Sequence, residues 1–415
     1  MEVGKLKKVI EASFIAFIAI TALGIYDFII PLFTENFAES LAVIGTIISA
    51  GYFVSFLIEV PIGKLVDKYG RVIMLLAALL TLGIIGIFFY FAQNVLHVAG
   101  LVLCFGFGQI MFWVPSTVLI RDYSPKSMFG QSQGIYLTFS QLGWILGPFI
   151  AGIVTGMYSD RHNFLIYSAF LFAALFITPL FFRKIKKRRV KLFKGKHKAR
   201  LTFLIDSFKK YSIAHKYSVP LYMLSFICYV WIATEWTFVV LAGTRVFGFS
   251  ESGVGIILAS MMTMQAVLLY SSSYLMDKIG KKYIITSGLL LLFASTYFAF
   301  LSTSSLMFIF CLLLAAGSLS WILPGTEAYM TEIMPANIMG EMSGVFDTSK
   351  DLGFIIGPFV GGILAELLFG PVTPFLFVAI LAGIGTIIAG YIFWPAKKFK
   401  IKKKRRFRLF AVSSD

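Results

Sequence analysis

Twelve stretches of this sequence are apolar over about twenty residues or more, and that repetition leaves few folds open. A helix needs about 20 apolar residues to cross the hydrocarbon core of a bilayer. Read against breaks of Gly, Pro and charge, the stretches fall at about 9–33, 41–62, 72–92, 98–120, 130–157, 163–182, 217–243, 252–276, 283–301, 306–331, 340–368 and 374–394. Hydrophobic residues make up 58% of the 415 positions and charged ones 14%, where soluble domains carry about 25% charged. So apolar a chain cannot hide its surface from water, and the bilayer must be its solvent. The first stretch is too long for a signal-peptide core and lacks a small-residue cleavage site, so it is read as a retained span. The expectation is an all-α integral membrane protein of twelve transmembrane helices.

A formal charge of +17 invites a nucleic-acid reading, but its distribution argues otherwise. All but three of the 37 Lys and Arg cluster in Lys5–Lys8, Lys64–Arg71, Arg121–Lys126, Arg183–Lys216, Lys278–Lys282 and Lys397–Arg408. One-sided placement of this kind is the positive-inside pattern, which predicts both termini in the cytoplasm and no nucleic-acid partner. Cys104, Cys228 and Cys311 lie in apolar spans at no metal or redox spacing, and His97, His162, His197 and His215 are scattered. No metal site, disulfide or cofactor is expected.

Sliding the chain along itself shows a repeat at an offset of 210. Ser40 meets Ser250, Gly45 meets Gly255, Asp67 meets Asp277, and Gly70 meets Gly280. Farther on, Gly134 meets Gly344, Gly143 meets Gly353, Gly147-Pro148 meets Gly357-Pro358, and Gly152 meets Gly362. One register serves spans 2 to 5 and 8 to 11, so the chain is two parallel repeats of six spans, an arrangement that places a substrate site between halves. The expected domains are 1–182 and 217–394, with a basic linker at 183–216 and a basic tail at 395–415. Within the linker, residues 201–210 read either as an interfacial helix on anionic lipid or as a solvated tether.

Between spans 2 and 3 lies Gly63-Lys64-Leu65-Val66-Asp67-Lys68-Tyr69-Gly70-Arg71, with a copy at Ser273–Lys281. A short loop that turns two helices sharply calls for glycine, and its charges sit where they can meet helix ends or partner charges. The segment closely resembles the signature loop of the major facilitator superfamily. That resemblance implies the major facilitator fold, two parallel-repeat six-helix bundles, and a loop that gates the cytoplasmic side. The repeat adds that Arg71 is matched by Lys281 and Asp122 by Glu332, which predicts paired latches: Arg71–Asp122 with Asp67, and Lys281–Glu332 with Asp277. Span 5 carries Gly134, Gly143, Gly147-Pro148 and Gly152, and span 11 repeats it as Gly344, Gly353, Gly357-Pro358 and Gly361-Gly362. Small residues every fourth position let helices approach closely, and Pro distorts them. The pattern resembles the span-5 motif of the superfamily's exporters, especially the drug:proton antiporters, although their span-4 Arg is absent.

Charges within spans are costly, so each is a candidate site. Asp27 lies deep in span 1 beside Tyr26, followed by Pro31, an order that also resembles the antiporters. Glu235 lies similarly deep in span 7 between Trp231 and Trp236, and Glu327 sits in span 10. Span 11 carries Asp347, Lys350 and Asp351 on successive turns, so that Lys350 can pair with either acid. Glu59 and Glu366 lie nearer span ends and read as structural. Seven acids thus face one base. Carboxyls without a basic partner attract cations, and removal from water favours the protonated form of any acid. Proton and cationic substrate then compete, which is the minimal chemistry of an antiporter. In the resembled family spans 1, 4, 7 and 10 line the cavity; here they offer Asp27, Glu235 and Glu327, with Tyr26, Trp113, Trp231, Trp236 and Trp321 as aromatic walls for a lipophilic cation.

These features predict a monomeric secondary transporter in the cell (inner or plasma) membrane. Its partners are membrane lipids, a small-molecule substrate and protons, whose gradient is the energy source. The leading expectation is export of amphipathic, cationic molecules by alternating access. Two alternatives stay open: a sugar, lipid-like or anionic solute moved by symport, with Lys350 as an anion contact, and a non-transporting membrane receptor. No nucleophile–base pair and no Gly-x-x-x-x-Gly-Lys-Ser/Thr loop is present, so neither an enzyme nor ATP drive is expected.

Overall fold

With no water in the hydrocarbon core, each backbone N–H and C=O must be satisfied within the chain, and helices do this segment by segment. The computed structural model describes residues 2–182, 218–333 and 339–393, without the side chains of 2–4, 126, 273, 277, 333 and 339–342. The linker 183–216, the tail 395–415 and the side chain of Asp277 therefore lie outside the described residues. Twelve long helices follow: α1 Glu2–Glu35, α2 Leu41–Tyr69, α3 Arg71–Tyr90, α4 Val95–Tyr123, α5 Phe129–Met157, α6 Asp160–Phe181, α7 Ser218–Arg245, α8 Glu251–Ile279, α9 Lys281–Leu301, α10 Ser305–Ile333, α11 Met339–Leu367 and α12 Thr373–Phe393. Among the described residues eleven are long and apolar enough to cross a bilayer. The twelfth, α11, is the one that carries Asp347, Lys350 and Asp351.

Repeated residues make repeated local structure. Ser40 and Ser250 cap α2 and α8, their hydroxyls accepting from the N–H of Val43 at 3.3 Å and of Gly253 at 3.2 Å. Gly70 and Gly280, at φ +98° and +103°, each turn one helix into the next in a single residue. The expected loop from Gly63 is therefore corrected. Gly63 lies inside α2, which continues to Tyr69, and nothing would touch a Cβ there.

Packing obeys the same register. In the first half α1 packs on α5 and α6, α3 on α4 and α6, and α2 on α4. In the second, α7 packs on α11, α9 on α10 and α12, and α8 on α10. The halves meet along α2–α11 and α5–α8, two seams that the offset exchanges. At the first seam a Cβ on Gly45 would lie 2.1 Å from the Pro358 carbonyl oxygen and 3.0 Å from the Gly362 Cα. At the second, a Cβ on Gly255 would lie 2.6 Å from the Pro148 carbonyl oxygen and 2.9 Å from the Gly152 Cα. Backbone touches backbone there, and no side chain fits.

Both crossings lie toward the end where α1 passes into α2, here termed the far end. Three further contacts join the halves there: the Arg245–Glu35 ion pair, the Leu41 N–H donating to Glu366 Oε2 at 2.7 Å, and the Ser252 hydroxyl donating to the Gly152 carbonyl at 2.9 Å. Residues 35 and 245 are equivalent under the 210 offset, so their pair lies on the pseudo-twofold axis. At the near end, Gln131 of α5, Glu327 of α10 and Asp347 of α11 are exposed. Such side chains require water rather than lipid, so this end is read as an aqueous mouth. This corrects part of the packing motif: Gly134 and Gly344, near the mouth, have nothing within 4 Å of a Cβ. The rest of the motif packs. Gly143 and Gly147 meet α1 at Phe17, Ile20, Thr21 and Gly24, while Gly353 and Gly357 meet α7 at Phe226, Tyr229, Val230 and Ala233.

Replacing Gly45 by Val forces α2 off α11. Overpacking of this kind costs about 1–3 kcal/mol, so Gly45→Val is expected to lower the thermal unfolding temperature of the purified protein. An unchanged transition would refute the contact.

Candidate substrate and proton site

Asp27 is buried, 7% exposed, at a point where the α1 hydrogen-bond ladder is broken. Pro31, four residues on, has no N–H to give, so the Asp27 carbonyl loses its usual i+4 partner. Around it is a cavity of about 10 Å³ walled by Tyr26 and Pro31 of α1, Gly51 and Tyr52 of α2, Val102, Phe105 and Gln109 of α4, and Trp236 and Thr237 of α7. That is room for about one water, so a larger guest requires the helices to move. The Tyr26 ring stacks on Phe105 with centroids 3.5 Å apart. Two aromatic contacts cross between halves at the pocket: Tyr52 stacks on Phe354 of α11 at 5.0 Å, and Trp236 meets Trp144 of α5 at 5.3 Å. Gly106 lets α4 close on α2, since a Cβ there would lie 2.1 Å from the Gly51 carbonyl oxygen.

Glu235 is 1% exposed, and among the described residues neither carboxyl oxygen has a hydrogen-bond partner. It too sits at a ladder defect, for it opens a π turn over Glu235–Val239 within α7. π turns concentrate at functional positions. Contrary to the expectation of one cavity shared by both acids, Glu235 does not line the Asp27 pocket; Thr237, the residue the offset pairs with Asp27, does. Nor does α10 contribute to that pocket. Of the five proposed aromatic walls only Tyr26 and Trp236 line it. Trp231 is packed against Phe375 of α12, Trp321 lies against α9 at Gly288, and Trp113 contacts Phe112. Tyr52, Phe105 and Gln109 were missed, because aromatic and amide residues in a span carry no mark of which way they face.

Glu327 is not an isolated acid. Lys350 donates to Glu327 Oε1 at 2.9 Å and pairs with Asp347 Oδ1 at 3.2 Å. The Asp347 contact was legible from spacing on one helix; the Glu327 contact bridges α10 and α11 and was not. Lys350 is thus held by acids, which removes the anion-contact role that the symport alternative gave it. Glu366 holds the first N–H of α2 across the far-end seam, a structural role, as expected.

At the near end both expected latch pairs form. Arg71 Nε lies 3.0 Å from Asp122 Oδ2 and Arg71 Nη2 lies 3.4 Å from Asp67 Oδ1, while Lys281 pairs with Glu332. The Arg71 Nε–H is not aimed along the line to Asp122, so that contact is an ion pair and not a hydrogen bond. Each pair ties the start of a third helix (α3 or α9) to the end of the fourth (α4 or α10) within its own half.

Two six-helix halves related by one register, with paired near-end charges, are matched by a family profile over residues 12–245 and again over 222–413. The chain belongs to the Major Facilitator Superfamily. It is a multi-pass membrane carrier and not an enzyme. It is 24% identical to an uncharacterized MFS-type transporter of Methanocaldococcus jannaschii, over 93% of this chain and 98% of the relative. It is 26% identical to Multidrug resistance protein 2 of Bacillus subtilis, over 92% and 94%. Among solved structures, a variant of the nucleoside transporter NupG aligns with a TM-score of 0.77 at 12% identity, over 93% of this chain and 99% of that one. A bacterial homologue of the human lysosomal transporter Spinster aligns at 0.73 and 16%, over 94% and 97%.

In this major facilitator the Arg71–Asp122 pair is half-exposed on its acid side, and such pairs contribute about 0–1 kcal/mol. Asp122→Asn is therefore expected to leave the unfolding temperature within a degree or two of wild type while slowing transport several-fold. An unchanged transport rate in vesicles would remove the latch role.

Proposed function

We propose that this carrier exports amphipathic, cationic small molecules in exchange for protons, by alternating access across the plasma membrane. Asp27 carries the reading. It is a buried acid in an aromatic-walled pocket between the halves, and no Lys, Arg or His among the described residues pairs with it. A carboxylate left charged and unpaired in such a setting costs several kcal/mol, so a proton or a cationic guest must neutralise it. Tyr26, Tyr52, Phe105 and Trp236 supply the π faces that attract a cation while their edges bury its apolar body. Glu235, equally buried and unpaired in the other half, provides a second proton-binding carboxyl. The likeness to Multidrug resistance protein 2 of Bacillus subtilis supports a drug-type substrate.

Alternating access follows from the packing. The seams at Gly45–Gly362 and Gly152–Gly255 hold the far end shut while the near end is open. Positive-inside charge puts the near end and both termini in the cytoplasm, so this conformation faces inward, ready to load an export substrate. Neutralising the acids favours rearrangement of helices across the pocket; the far end then opens, and an external proton displaces the cation. Arg71–Asp122 and Lys281–Glu332 keep each half rigid during this movement.

The test is substrate-induced proton release from the purified protein, with ethidium as probe. Wild type is expected to release protons as ethidium binds, and Asp27→Asn and Glu235→Gln each to lower the protons released per ethidium to about half or less. Normal release from both variants would overturn the site assignment. Ethidium efflux from vesicles that does not depend on a pH gradient would overturn the coupling.

A further inference from the structure

The Lys350 ammonium sits in a cage separate from the Asp27 pocket. Two carboxylates face it, Glu327 of α10 at 2.9 Å and Asp347 of α11 at 3.2 Å. Two aromatic rings flank it, Phe346 with its centroid at 4.8 Å and Tyr229 of α7 at 5.7 Å. Carboxylates with π faces around one nitrogen are what a protein uses to recognise an alkylammonium ion, and a lysine side chain is an alkylammonium ion on a tether. The burial is inverted from that of an ordinary structural pair. The lysine is 18% exposed, whereas Glu327 and Asp347 are 53% and 58% exposed, toward the aqueous mouth. One ammonium against two carboxylates also leaves an excess negative charge, so the cage still attracts cations when Lys350 fills it.

The repeat shows that this is no part of the duplicated scaffold. Lys350, Glu327, Asp347 and Tyr229 align with Ser140, Thr117, Leu137 and Ala19, and only Phe346 keeps its character, opposite Tyr136. Nothing in the first half requires such a group for packing.

We propose that this cage is a recognition site for amphipathic organic ammonium ions entering from the open end, with Lys350 as its resident occupant between transport events. The inference rests on the cation-export reading and deepens it. An entering amine displaces the Lys350 ammonium from Glu327 and Asp347, and the tether returns it once the substrate has moved on toward Asp27. The carboxylates are thus never left bare.

The experiment measures binding of hexylammonium, a free counterpart of the lysine side chain, to purified full-length protein by calorimetry. Lys350→Ala is expected to bind it at least tenfold more tightly than wild type, because the competing tether is gone. The charge-matched Lys350→Ala/Asp347→Asn variant, which spares the fold an extra bare carboxylate, is expected to bind more tightly than wild type as well. Adding Glu327→Gln to it should abolish that gain. Equal or weaker binding by either of the first two variants, with the protein folded and monodisperse, would overturn the cage. If Lys350→Ala folds only when purified in hexylammonium, that rescue supports the proposal and the charge-matched variant supplies the affinity. Ethidium export by the wild type is scored separately: tight hexylammonium binding without ethidium export would count against export and not against the cage, and export with unchanged hexylammonium affinity would do the reverse.

Discussion

Backbone-to-backbone contact at two equivalent crossings, Gly45 on Gly362 and Gly255 on Gly152, is the constraint from which the rest of the arrangement follows. Lipid tails are as apolar as leucine, so helices in a membrane gain little from hiding side chains from lipid; close van der Waals approach must hold them together. Only glycine permits that approach here, where a Cβ would fall well inside contact distance of a carbonyl oxygen on the opposite helix. Because the crossings are exchanged by the repeat, they are equivalent contacts about one axis. The Glu35–Arg245 pair joins equivalent residues, as a contact on that axis must, and Tyr52–Phe354 and Trp236–Trp144 span the halves where the Asp27 pocket lies.

A second regularity is that both deep acids sit where the regular i→i+4 ladder of a helix is interrupted. At Asp27 the cause is Pro31; at Glu235 it is the π turn through Val239. In hydrocarbon an unsatisfied carbonyl is costly and is tolerated where protein or a water-lined cavity surrounds it. The two defects have different causes at similar depths, and duplication alone would not produce that.

The molecule therefore divides into what is repeated and what is not. Caps, one-residue turns, seams and near-end ion pairs recur in both halves. Asp27, Glu235 and the Lys350 cage occur once each. A perfect duplicate offers only like groups on its two sides, so these unlike groups are what sets the two halves apart.

Span number, repeat and charge placement were legible in the sequence because each rests on one-dimensional regularity: twenty apolar residues per crossing, one register, basic loops on one side. Asp27 and Glu235 were legible because a buried acid is too costly to be incidental, and Lys350 with Asp347 because three residues along a helix is a contact distance. Tyr52, Phe105 and Gln109 were not, nor was Lys350 with Glu327, since facing direction and partners on other helices depend on how helices rotate and cross. Nor could spacing separate the glycines that touch a neighbour, Gly143, Gly147 and Gly152, from Gly134, which faces open space. By itself the sequence determined a twelve-helix duplicated membrane carrier with acids at its centre, because hydrophobic length and register act along the chain. Only the tertiary structure decided which end is shut, which residues wall the Asp27 pocket and what holds Lys350, because these depend on distances between helices that meet in space and not in sequence.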